Sequence, residues 1–213
     1  MEGSSNAFPM NGGEGPHSYS RNSSGQRIFI ERARKLIQEA VAEHLDIEAF
    51  SSSGAFLVAD LGCSVGPNTL YAEFQKKFRT RAPAWNKGRI FYPSASEEVI
   101  KAYAAQFAKD MEVFLRARAQ EIVLGGLMML TCVTRRDGAL HSEAFANRSL
   151  DLLESCLVDM VKKGNISEER MDEFNLPMYY ASPQEMKEAV ERNGHFSIKK
   201  MVELFEGSAE AYP

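Results

Sequence analysis

Apolar positions along this chain fall into two kinds of pattern. Ile28, Ile30, Ala33, Ile37, Ala40 and Val41 recur at helical spacing with charged residues between them, which predicts a helix. "SSSGA" (51–55) interrupts it. "FLVADLG" (56–62) is then a continuous apolar run of strand length, as in a buried parallel sheet. "CSVGPN" reads as a loop, and residues 69–78 return to helical spacing. "RIFY" (89–92) predicts a short strand. Ser94-x-x-Glu97 has the form of a capping box ahead of a helix whose face is Val99, Ile100, Tyr103, Phe107, Met111 and Phe114, ending near Ala119. "EIVLGGLMMLTCV" (121–133) predicts a turn at Gly125-Gly126 followed by an apolar strand. Leu150, Leu153, Cys156, Leu157, Met160 and Val161 mark another helix, closed by Gly164. Ser167 and Ser182, the latter followed by Pro183, start two short helices. The alternation is that of an α/β protein, with fewer strands than a parallel sheet usually has.

Composition narrows the class. The chain has 213 residues, 44% hydrophobic and 25% charged, enough for one domain with a small appendage. A net charge of −4 argues against a nucleic-acid binder driven by phosphate contacts. Residues 1–25 are rich in Gly, Ser and Asn, read as irregular, and have no apolar segment of the secretory kind. No stretch approaches the roughly 20 apolar residues that span a bilayer. Cys63, Cys132 and Cys156 are odd in number and far apart, which predicts reduced thiols in a cytoplasmic protein.

Chemistry concentrates in "VADLGCSVGPN". A buried strand that ends in an acid and a Gly-rich turn puts backbone N–H groups and a helix N-terminus at the carboxyl edge of a sheet, where ligands bind in open α/β folds. The stretch has no Gly-Lys-Ser/Thr and no full G-x-G-x-x-G. Asp60 before the loop suits a ligand with cationic and hydroxyl groups, and S-adenosylmethionine fits better than a triphosphate. On spacing alone, a structural strand-to-helix turn explains the stretch equally well.

Four stretches taken in order, "MNGGEGPHSYSRNSSGQR", "ADLGCSVGPNT", "WNKGRI" and "FNLPMYYASPQEMK", closely resemble the plant SABATH methyltransferases. That family comprises carboxyl methyltransferases acting on salicylate, benzoate, jasmonate, loganate and farnesoate, and xanthine N-methyltransferases. The likeness runs from about Phe8 to about Phe205. It implies a Rossmann-like S-adenosylmethionine-dependent methyltransferase fold with a helical cap: residues 1–25 covering the ligands, 26–135 a shortened α/β core, and 136–213 a partial cap.

The resemblance also implies roles. Tyr19 would lie against S-adenosyl-L-methionine, as would Asp60, Cys63 and Asn68, and Gln26 would contact the acceptor carboxylate. Asn86, Asp172, Phe174 and Asn175 match a magnesium-binding site, with Phe174 offering only its carbonyl oxygen to a hard cation. No catalytic acid or base is implied. Taken one at a time, Tyr19 and Gln26 also suit surface positions, Cys63 a small buried hydrophobe, and Asn86, Asp172 and Asn175 turns or caps. The implied partners are a small carboxylic-acid substrate and a second subunit, either a copy or a full-length relative, with no nucleic acid and no membrane.

The chain also departs from the family pattern. Members continue past the "GPNT" helix into an "ND"/"DFN" motif that binds the cofactor ribose, a "GSFY" segment near the adenine, and an "S-x-x-LHWLS" segment against the acceptor. Here "GPNTLYAEFQKKF" runs almost directly into "APAWNKGRI", as if central strands had been excised, and the family's C-terminal extension is absent. The expectation is therefore double: a carboxyl methyltransferase by descent, or a shortened, catalytically impaired member that serves as a dimer partner or arises from a splicing or gene-model artefact.

Overall fold

The computed structural model describes residues 15–22, 24–46, 86–144 and 147–204. The chain forms two compact units. One comprises Met1–Gly66, Leu124–Met129 and Lys199–Pro213; the other comprises Pro67–Val123 and Leu130–Ile198.

In the first unit, α1 (Tyr19–Asn22) is a single turn and α2 (Ser24–His44) a long helix. Helix therefore begins before the apolar periodicity does. Ser18 is buried, its carbonyl accepts the N–H groups of Arg21 and Asn22, and the Asn22 side chain donates back to the carbonyls of Pro16 (2.9 Å) and Ser18 (2.8 Å). Small polar residues that read as loop in sequence can instead supply the bonds a helix start lacks. Glu39, on α2, pairs with Lys35 and with Lys200.

The second unit is built on α3 (Glu97–Glu121), α4 (Asn147–Lys162), α5 (Glu168–Asp172) and α6 (Pro183–Asn193). Helix α3 packs on α6, and α4 on α5. The core gathers Ile90, Phe91, Tyr92, Val99, Tyr103, Ala144, Met171 and Tyr180, with Leu150, Leu157, Val158 and Val161 of α4 packed against them. Its centre is aromatic. Tyr92 stacks on Tyr103 with ring centroids 4.8 Å apart, while Phe91 meets Tyr92 and Tyr180 edge-on at 5.3 and 6.0 Å, both favourable ring geometries.

The expected punctuation of α4 and α6 is present. Ser182 and Glu185 form a capping box with Pro183 at the first helical position. Gly164 (φ +75°) ends α4: its N–H bonds to the carbonyl of Val161 and that of Asn165 to the carbonyl of Met160, a pair of bonds that requires the left-handed conformation glycine adopts freely. The cap of α3 differs from expectation. Its N-cap is Ser96, without a side-chain bond, because Ser94 lies in the turn closed by Ala95 N–H on the Tyr92 carbonyl (2.9 Å). Glu97 and Glu98 in the first turn favour the helix N-terminus electrostatically instead.

Strand expectations fare differently. Residues 56–62 lie outside the described residues, and among the described residues no strand occurs. Ile90, Phe91 and Tyr92 are buried as in a strand, yet no ladder forms. The Ile90 N–H goes to the Glu154 carboxylate (2.9 Å), and its carbonyl receives Leu176 N–H (2.7 Å). Residues 126–136 are non-helical, and Met129, Leu130 and Val133 are 47%, 41% and 60% exposed. A strand exists only through a neighbour's hydrogen bonds, so an apolar run alone cannot secure one.

Candidate functional site

The sequence-predicted residues divide by location. Asp60, Cys63 and Asn68 lie outside the described residues. Tyr19 opens α1 and Gln26 lies in the first turn of α2, where the backbone alone is described. Asn86, Asp172, Phe174 and Asn175 are described, and the fold places them on loop 86–92, at the last residue of α5 and on the loop that follows it, with bonds between the two loops.

The first loop is 86–92. Arg89 N–H bonds to the Asn86 carbonyl (3.2 Å), and Gly88 adopts φ +71°. This turn aims the Gly88 N–H at Asp172 Oδ1, 2.7 Å away. Asn86 is buried and its Nδ2 donates to the Phe91 carbonyl (3.2 Å), which commits the amide nitrogen and not its oxygen. The second loop follows α5. Phe174 packs on the core and its N–H bonds to the Met171 carbonyl, so what it can offer a cation is its own carbonyl. Leu176 N–H on the Ile90 carbonyl ties the two loops together. Asn175 is buried and its Oδ1 has no hydrogen-bond partner among the described residues.

A buried amide oxygen without a donor is costly, and a hard cation is one partner that would satisfy it. Two amides, one carboxylate and one backbone carbonyl form an all-oxygen set, which suits Mg²⁺ or Ca²⁺ and not zinc. Only Asp172 in the set carries charge. Among the described residues no group of three or more His, Cys, Asp or Glu is placed to hold a metal, so any affinity here is of the weak, millimolar class.

Sequence reasoning missed a second polar cluster in the same unit. Glu185 of α6 accepts from Tyr179 OH (2.6 Å), Arg135 Nη2 (2.9 Å) and Ser182 N–H (2.7 Å). Arg135 also donates to the Ala139 carbonyl (3.2 Å). Tyr92 OH accepts from Tyr180 N–H (3.1 Å) and lies 3.1 Å from His141 Nδ1. Burial pushes the Tyr92 hydroxyl up to about 12, and burial followed by the Glu185 bond raises that of Tyr179 well above its usual range. The only local signals were the Arg135, Glu185 and His141 types themselves, which are commonplace on surfaces.

One consequence is a pH dependence. In the neutral tautomer that carries its hydrogen on Nε2, His141 Nδ1 takes the single hydrogen of the Tyr92 hydroxyl, whose oxygen accepts Tyr180 N–H. Protonating the ring would turn Nδ1 into a donor and leave the tyrosine hydrogen buried and unpaired. His141 is half-buried, facing Arg135, Glu185, Tyr92 and Tyr179. Its pKa is lowered first by burial, then by Arg135, against a smaller opposing effect of Glu185. The stabilisation is therefore complete above the ordinary histidine value of about 6.5 and is lost as pH falls through it towards the lowered folded value. Urea midpoints at pH 7.5 and 5.5 are expected to drop for the natural chain and to drop less for His141→Asn, whose amide oxygen can take the same hydrogen. Equal drops would contradict this.

Comparison with known proteins supplies the rest. The sequence pattern of the SAM dependent carboxyl methyltransferases matches residues 5–75 and 71–212. Loganic acid O-methyltransferase of Catharanthus roseus is 32% identical over 278 residues, covering 92% of this chain and 75% of the relative. Farnesoic acid carboxyl-O-methyltransferase of Arabidopsis thaliana is 28% identical over 290 residues, covering 98% and 82%. The latter alignment takes in about 209 of the 213 residues here, so about 81 positions of the relative face no residue of this chain. A solved structure of loganic acid methyltransferase with SAH superposes with a TM-score of 0.72 and 29% identity, over 87% of this chain and 76% of that one. The fold is that of an S-adenosylmethionine-dependent methyltransferase, as the motifs implied, and the family pattern matches in two stretches that meet at 71–75. With its pattern matched along nearly its whole length, the chain belongs to the family of SAM-dependent carboxyl methyltransferases.

Proposed function

We propose that this protein transfers the S-adenosylmethionine methyl group to the carboxylate of a small organic acid, giving a methyl ester and S-adenosylhomocysteine. The observation that carries the reading is the family match over 5–75, which contains the "ADLGCSVGPN" loop intact. Loganic acid and farnesoic acid, in the names of two relatives, make an acid the first class of acceptor to try. Asp60, Cys63, Asn68 and Tyr19 are the proposed cofactor contacts, and Gln26 orients the acceptor carboxylate. The carboxylate oxygen is itself the nucleophile, so no general base is needed. Rate then depends on holding that oxygen in line with the sulfonium methyl, at near-attack distance and away from water. Residues 1–25 are proposed to close over both ligands.

Asn86, Asp172, Phe174 and Asn175 are proposed to hold Mg²⁺. The ion would join the two loops and would not touch the transferred methyl. The protein is also proposed to be cytoplasmic and to form a dimer.

A second reading has a specific observation behind it. About 81 positions of a relative have no counterpart here, and on this reading the chain, related by descent, serves as a non-catalytic partner of a full-length relative. Labelled methyl donor offered with loganate, farnesoate and salicylate decides between them. Label in an extractable ester supports catalysis. No ester from a folded sample that binds the cofactor supports the second reading.

A further inference from the structure

The apolar stripe of α4 contains one residue out of place. Leu150, Leu157, Val158 and Val161 all pack into the core, and Glu154 stands four residues after Leu150 and three before Leu157, on the same helix face. An acid on such a face is seldom buried without partners. Glu154, whose side chain is 15% exposed, has two, and both belong to loop 86–92. Its Oε2 accepts Ile90 N–H at 2.9 Å, and its Oε1 accepts Arg89 Nη1 at 3.3 Å.

Ile90 is also the residue through which the two loops meet. Its N–H is held by Glu154 while its carbonyl holds Leu176 N–H at 2.7 Å, and Leu176 directly follows Asn175. On its other side, loop 86–92 is tied by Gly88 N–H to Asp172 Oδ1. Fixing Ile90 therefore fixes where Asn86 stands relative to Asp172, Phe174 and Asn175. No other carboxylate among the described residues bonds this loop from α4.

We infer that Glu154 is a positioning residue for the cation site of Asn86, Asp172, Phe174 and Asn175: it acts through Ile90 and touches no ion itself. The inference rests on the magnesium reading above. A weak site with a single charged donor depends heavily on pre-set geometry, because little electrostatic attraction is available to pull displaced ligands back into place.

Trp85, the chain's only tryptophan, immediately precedes Asn86, so its fluorescence can report on the loop. MgCl₂ is titrated into the full chain and into Glu154→Ala, Glu154→Gln and Asp172→Asn. The natural chain is expected to show a saturable change with a millimolar midpoint, and Asp172→Asn none. Glu154→Ala is expected to raise the midpoint at least tenfold. Glu154→Gln keeps an oxygen for Ile90 N–H and is expected to raise it only a few-fold. Urea midpoints are measured alongside, since a purely structural role would lower them without moving the Mg²⁺ midpoint. Should Glu154→Ala fail to fold, Glu154→Gln carries the test, and an unshifted midpoint there counts against the inference. An unchanged Mg²⁺ midpoint in folded Glu154→Ala overturns the inference and leaves the magnesium reading standing. No response in the natural chain removes the magnesium reading and the inference with it.

Discussion

Glu185→Ala is expected to destabilise the second compact unit by about 3–5 kcal/mol, the usual cost of removing one partner of a buried ion pair. The pair is well shielded, with side chains 11% exposed for Arg135 and 28% for Glu185. Truncation would leave the Arg135 guanidinium without its carboxylate. It would also remove the acceptor for Tyr179 OH and the reciprocal half of the α6 capping box, the Ser182 N–H bond. Glu185→Gln retains acceptor capacity for two of these three donors and should cost less, about 1–3 kcal/mol. Urea unfolding followed by circular dichroism measures both. A loss under about 1 kcal/mol for Glu185→Ala would mean that water readily replaces the carboxylate, and that the cluster is less sealed than its geometry indicates.

Much of the helical framework was legible because it rests on local rules. The Ser182-Pro183 start and the Gly164 stop were readable from residue type, since caps are satisfied by side chains or conformations within a few positions. The start of α3 was misjudged by two residues because Ser94 and Ser96 are both competent caps, and the Tyr92–Ala95 turn decides between them. Residues 89–92 read as a short strand, and the structure makes no strand of them. What settles the matter is Glu154, sixty-four residues away. The Arg135–Glu185–Tyr179 cluster was invisible for the same reason.

The run 126–133 was read as a strand, and the structure makes none of it. In an α/β core, a run such as 126–133 is apolar because neighbours cover it on both faces. Met129, Leu130 and Val133 keep that composition while standing 41–60% exposed, and about 80 positions present in a relative have no counterpart here. Family membership survived because its motifs are local strings, whereas the integrity of the pocket depends on pieces far apart in the chain.

A cofactor loop that still works in this shortened chain binds S-adenosylhomocysteine, and calorimetric titration of that product into the full chain measures it. The Asp60→Ala variant serves as its control. A carboxylate bonding a charged or hydroxyl-bearing ligand is worth about 1.5–3 kcal/mol, so the variant should bind at least about tenfold more weakly. Saturable binding by the natural chain, weakened to that extent by Asp60→Ala, is the predicted result. A folded chain that takes up no S-adenosylhomocysteine would mean that the loop no longer binds the cofactor.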